Sequence, residues 1–186
     1  MSRSVLVLNG TALTCGEVAA AAGGRAQVAV GRAGRDRAAA AASAVRRVSA
    51  LGGVYGRTTG VGSNRDVIVG NDDLAGHGLR LARSHAGGAG ELISAELGRA
   101  MLVVRLNQIA AGGSGVDPGV LDVLVECVNR GLTVPVQRYG AIGTGDLTAL
   151  AMTVLCLVAR HRHPAAVRPG AVRRARLHLQ QRGDPR

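Results

Sequence analysis

The sequence predicts a mainly α-helical chain that opens on short strands. Three observations carry this reading. Five stretches, residues 33–50, 74–84, 94–112, 118–130 and 146–160, read as helices, most of them with an apolar face. Capping residues and glycines punctuate their ends. The strand-like runs are few and short, and both lie in the first thirty residues.

The first run is Val5-Leu6-Val7-Leu8, closed by the turn Asn9-Gly10. Thr14-Cys-Gly-Glu17 has the spacing of a capping box and starts a short helix to about Ala22. Val28-Ala29-Val30 reads as a second strand. An alanine-rich stretch with spaced arginines then predicts a helix that stops at Gly52-Gly53. Residues 52–70 are dense in glycine and lack apolar periodicity, which makes them a long loop, a kind of segment that tends to carry function. Asn71-Asp72-Asp73 supplies a cap and acidic first turn for a helix to about Ser84. Ser94 caps a helix in which Leu97, Met101 and Val104, with Leu102, Leu106 and Ile109, make a wide apolar face. Asp117-Pro118 reads as an N-cap followed by proline at the first helical position, and the apolar positions 120–128 carry that helix to Gly131. A connector over 132–145 leads to a last apolar helix from Asp146 to about Arg160.

These elements predict one domain over residues 1–160 and a basic, flexible tail over 161–186. The tail holds seven arginines against one acid, Asp184. The core must be built from Ala, Val and Leu, because there is no Phe or Trp and the tyrosines are Tyr55 and Tyr139 alone. Small side chains bury less area each, so close helix contacts or a partner chain must supply the difference. The net charge of +11 comes from arginine with no lysine, in a chain rich in Ala and Gly. That pattern reads as a solvated basic surface, and the scarcity of aromatic rings argues against nucleic-acid binding. Cys15, Cys127 and Cys156 are far apart in sequence and have no metal-ligand spacing. No apolar run reaches the length of a membrane span, so the expectation is a cytoplasmic protein without a membrane or metal partner.

Four stretches can carry chemistry. Val54 to Gly62 sets a tyrosine, Tyr55, among glycines, where it can approach a substrate and accept a proton; its plain reading is a ring plugging the loop onto the core. Ser84-His85-Ala86-Gly87-Gly88-Ala89-Gly90-Glu91 ends a helix, where His85 alone reads as a C-terminal cap. Arg105-Leu106-Asn107, then Ser114-Gly115-Val116, alone is a helix and its stop signal. Gly140-Ala141-Ile142-Gly143-Thr144-Gly145-Asp146-Leu147 runs into the last helix. It can expose backbone N–H groups to an anion or a polarised carbonyl, or serve as a simple N-cap.

In this order and spacing the four stretches resemble the aromatic amino acid lyases, the histidine, phenylalanine and tyrosine ammonia-lyases. That family has Tyr-Gly-x-x-Thr-Gly-x-Gly, then Ser-His-Ala-x-Gly-x-Gly-Glu, Arg-x-Asn, Ser-Gly-Val, and Gly-Ser-x-Gly-Ala-Ser-Gly-Asp-Leu. The opening Asn9 to Thr14 is also similar, and the likeness covers about residues 5–160. It implies the N-terminal part of the ammonia-lyase (fumarase/aspartase-like) helical fold. The family cyclises an internal Ala-Ser-Gly into methylidene-imidazolone, an electrophile to which the amino group of the substrate adds. A tyrosine then removes a β-proton and ammonia leaves. The resemblance implies Tyr55 as the catalytic base, and His85 and Gly62 as substrate-binding residues.

Two departures qualify it. Gly143-Thr144-Gly145, or a segment one residue short, stands where the family has its cyclising triad, and Ala141 replaces the serine after Gly140. Threonine would leave an extra methyl on the electrophilic carbon, so the expectation is a degenerate segment and no cofactor. The family also continues well past this length into a helical bundle that completes the pocket. The expectation is a protein partner carrying the C-terminal half of the lyase fold, in a hetero-oligomer acting on a small-molecule substrate. The alternative is a non-catalytic subunit that stabilises such a partner.

Overall fold

A computed structural model describes residues 4–70, 73–140, 145 and 147–162, with the side chains of residues 75 and 160–162 excepted. Among these residues the chain forms six α-helices, one 3-10 turn and four short strands, a mainly α fold as the sequence predicts. Of the predicted tail, residues 161–186, the first two continue the last helix and residues 163–186 lie outside the described residues.

Strand β1 (Ser4–Leu8), helix α1 (Cys15–Ala22) and strand β2 (Ala26–Val30) make a βαβ unit, with β1 and β2 parallel and Ser4 to Leu8 in register with Ala26 to Val30. The capping box is complete. Thr14 Oγ1 accepts from the N–H of Glu17, and the Glu17 carboxylate accepts from the N–H and hydroxyl of Thr14. Those two bonds, the backbone one first, hold the Glu17 carboxyl below its ordinary range.

Helix α2 (Arg32–Leu51) and helix α4 (Ala95–Ala110) pack across this unit, and helix α5 (Val120–Asn129) closes it. Leu8, Val28, Leu102, Val103, Leu106, Leu121 and Leu124 are fully buried together. Alanines at 21, 38, 42 and 110 let the backbones approach, which is how an aliphatic core without large rings closes up. Ser94 caps α4 as expected, accepting from Leu97 N–H at 3.2 Å. The start of α5 differs by two residues. Asp117 Oδ1 accepts from Gly119 N–H at 2.8 Å, so Asp117-Pro118 forms a turn and regular helix begins at Val120.

Two side-chain amides fix the unit's long-range contacts. Asn129 at the end of α5 accepts from Val28 N–H at 2.8 Å and donates to Val28 C=O at 2.9 Å, mimicking a neighbouring strand along β2. Asn107 on α4 accepts from Gly10 N–H at 2.8 Å and donates to Thr11 C=O at 2.6 Å, pinning the turn after β1.

A second group of elements stands beside this core. It comprises the loop 52–70, helix α3 (Leu74–His85), strand β3 (Ala89–Leu92), strand β4 (Gln137–Tyr139) and helix α6 (Leu147–Arg162). Helix α3 packs on α6, and Met152, Cys156 and Leu157 of α6 reach the core. Strands β3 and β4, antiparallel and bulged, were not expected from the sequence, which reads 85–90 and 132–145 as connectors. Of the predicted cap of α3, Asn71 and Asp72 lie outside the described residues, and Asp73 makes no side-chain capping bond. No described helix is long and apolar enough to cross a membrane.

Candidate functional site

The glycine loop is a built object. Val54 C=O accepts from the N–H groups of Arg57, Thr58 and Thr59 at 2.9–3.2 Å, and Thr58 Oγ1 accepts from Val54 N–H at 2.7 Å. The far limb folds back, with Gly60 N–H on Val67 C=O at 3.0 Å, Val69 N–H on Thr58 C=O at 2.9 Å and a bridge between Thr59 and Ile68. Glycine is required at position 60, where a Cβ would lie 2.5 Å from Asn64 C=O. The loop thus turns on itself tightly enough to leave Tyr55 on its surface, 65% exposed, rather than plugged into the core. Its Oη accepts from Gly62 N–H at 3.1 Å. That bond fixes the ring and leaves the phenol its own proton and a further lone pair. It also engages the N–H of Gly62, the residue expected to meet substrate.

His85 ends α3 and is half-buried. Its Nδ1 lies 2.9 Å from Leu81 C=O and 2.9 Å from Ser84 Oγ. A carbonyl can only accept, so Nδ1 carries a proton and donates it to Leu81 C=O. His85 is thus tied to its own helix end, the plainer of the two readings made from the sequence.

The β3–β4 pair sets the second motif against Gln137 to Tyr139, the residues just before the fourth. Ala89 pairs with Tyr139, and Gly90, at φ +80°, lies flat on the Tyr139 ring where a Cβ would come within 2.7 Å of it. Arg138 stands over the same ring. Beyond β4, Gly140 C=O accepts from Thr148 Oγ1 at 2.6 Å, in the first turn of α6. Gly143 and Thr144 lie outside the described residues; Gly145 is described, exposed and at φ +126°.

The first motif joins this group through a residue that the sequence reading passed over. His77, buried on α3, places Nε2 3.1 Å from Thr59 C=O in the Tyr55 loop. The third motif stands apart, because Asn107 serves the opening turn. A cavity of about 720 Å³ also stands apart, between the segment from Gly10 to Ala22 and α4. Leu97, Ala100 and Val104 line its α4 wall, and none of Tyr55, His85 or Gly145 borders it. Among the described residues no group of three or more His, Cys, Asp or Glu is placed to hold a metal ion.

Comparison with known proteins bears on the family of the chain. The aromatic amino acid lyase profile matches residues 13–183. A "probable histidine ammonia-lyase" of Halobacterium salinarum is 39% identical over 155 residues, 81% of this chain and 29% of the relative. Histidine ammonia-lyase of Bacillus cereus is 42% identical over 106 residues, 56% of this chain and 21% of the relative. Among solved structures, the ergothioneine-degrading ergothionase of Treponema denticola superposes with a TM-score of 0.78 at 29% identity, over 82% of this chain and 31% of that one. Tyrosine aminomutase from Streptomyces globisporus gives 0.74 at 30% identity, over 80% of this chain and 28% of that one. The chain spans less than a third of the length of these relatives. It belongs to the aromatic amino acid lyase family and corresponds to that family's N-terminal part.

Proposed function

We propose that this chain is the ammonia-lyase-like subunit of a two-component enzyme of specialised small-molecule metabolism, with Tyr55 as the acid/base of an elimination or addition. The observation that carries the reading is the setting of Tyr55. A loop of paired backbone groups presents its phenol outward, oriented by Gly62 N–H, beside the helix that ends in His85. A group so held can take a proton from a substrate carbon or return one without first being ordered. His85 takes the substrate side chain, and Gly62 lies at the same site through its bond to Tyr55. The second component, a chain carrying the C-terminal half of the lyase fold, would complete the pocket.

The family's electrophile does not fit the residues present. Between Gly140 and Asp146 there is no serine to dehydrate, and Thr144 would place a methyl at the point of attack. No step is routed through methylidene-imidazolone, and the reading requires no added cofactor. Intact-protein mass tests this directly. Cyclisation with loss of two waters would remove about 36 Da, so the chain should have its encoded mass, and a deficit of that size refutes the proposal.

The same substitution favours one other reading, a non-catalytic subunit that stabilises its partner. Tyr55→Phe separates the two, since it removes one hydroxyl and keeps the ring. The catalytic reading expects turnover of the assembled complex to fall by roughly a hundred- to ten-thousand-fold with assembly intact. Equal activity of the two complexes would leave only the stabilising role.

A further inference from the structure

We propose that His77 is a positioning residue for the loop that presents Tyr55. The inference rests on the reading of Tyr55 above for its purpose, but not for its geometry. His77 is buried in the first turn of α3, outside the stretches of sequence that carry the family likeness. Its Nε2 meets the backbone oxygen of Thr59, which is itself buried, at 3.1 Å. Since a carbonyl can only accept, Nε2 holds the proton and His77 is the donor. Thr59 is the hinge point of the loop. Its N–H bonds to Val54 C=O at 3.2 Å, its hydroxyl lies 3.1 Å from Gly60 C=O, and it bridges to Ile68 on the returning limb.

The bond from His77 therefore ties both limbs of the loop to α3, the helix that ends in His85. Among the described residues the hydrogen bond of Tyr55 is to Gly62, within the loop, so its position relative to His85 follows how the loop is seated on α3. An apolar side chain at position 77 would fill the space and leave Thr59 C=O buried without this donor, a loss that local opening would relieve. Glutamine would carry an N–H donor to nearly the place of Nε2.

Hydrogen exchange on the full chain, or on its assembled complex, tests the proposal with His77→Leu and His77→Gln. Peptides covering 54–69 should exchange at least tenfold faster in His77→Leu and within about threefold of the unmodified rate in His77→Gln. Peptides from α4 should be unchanged in both. Unmodified exchange of the loop in His77→Leu would overturn the proposal. So would equal acceleration in the two variants, which marks a packing role, or acceleration that extends to α4, which marks general destabilisation. A catalytically silent Tyr55→Phe would remove the purpose assigned to the latch but would leave these exchange results standing, so the two ideas fail separately.

Discussion

Tyr55, His77 and His85 occupy different physical situations, and each predicts a different response to substitution. Tyr55 is exposed and held by one backbone N–H, so its hydroxyl can be removed with little effect on packing. His85 is anchored through Nδ1 to its own helix end. His85→Ala should raise KM of an active complex by about tenfold while kcat changes less, because the lost contact serves substrate binding; the reverse pattern in steady-state kinetics would count against that role. Cys156 gives a pH prediction. Burial, with a smaller contribution from Cys127, pushes its thiol up to about 11 from an ordinary value near 9. Above pH 9 the unfolded chain would lose this proton while the folded chain keeps it. Stability should therefore fall as pH rises from about 9 to about 11, and Cys156→Ala should flatten that slope in urea titrations. Of these residues, Tyr55 and His85 are legible in sequence because their neighbours form motifs. His77 is not, since a histidine inside a helix gives no sign of a partner that lies 18 residues back in a loop.

At the scale of elements, what is local is legible. The capping box of α1, the Ser94 cap and the two parallel strands fall where the sequence places them. Strands β3 and β4 do not, because three or four residues show no alternation and their pairing spans the whole of α4 and α5. Yet that pairing sets the second motif beside Tyr139, the residue before the fourth. Asn129 presents the same difficulty. At a helix end it reads as a stop signal, while its two bonds go to Val28, 101 residues away. Asn129→Ala would leave both backbone groups of a buried strand residue without these partners, for a loss of about 2–3 kcal/mol in unfolding free energy. Asn129→Asp keeps the acceptor but loses the donor and should fall between the two. If both variants melt like the unmodified chain, Asn129 does not hold β2.

At the scale of the whole molecule, the described residues leave apolar surface uncovered. On α4, Leu102, Leu106 and Ile109 are buried, but Leu97 is 60% and Val104 41% exposed, both on the wall of the 720 Å³ cavity. On α6, Leu147 and Val154 are also exposed. The sequence anticipates this, since α4 is apolar around most of its circumference and one core can cover only one side of it. A stripe that runs along a helix and borders an open groove is the kind of surface a second chain covers. The matched part of this chain is 29% of the Halobacterium relative and 31% of the ergothionase, and in the proposed two-component reading a partner supplies the remaining helices. The chain produced alone should therefore be poorly soluble or form ill-defined oligomers, and co-expression with a chain carrying the C-terminal half of the fold should yield a defined complex. Leu97→Glu with Val104→Glu gives the contrast, since the same change should improve the behaviour of the lone chain and weaken the complex. Light scattering of both preparations decides the matter. A lone chain that is a well-behaved monomer, with a double variant no different from it, would mean that these faces need no cover and that the two-component reading is wrong.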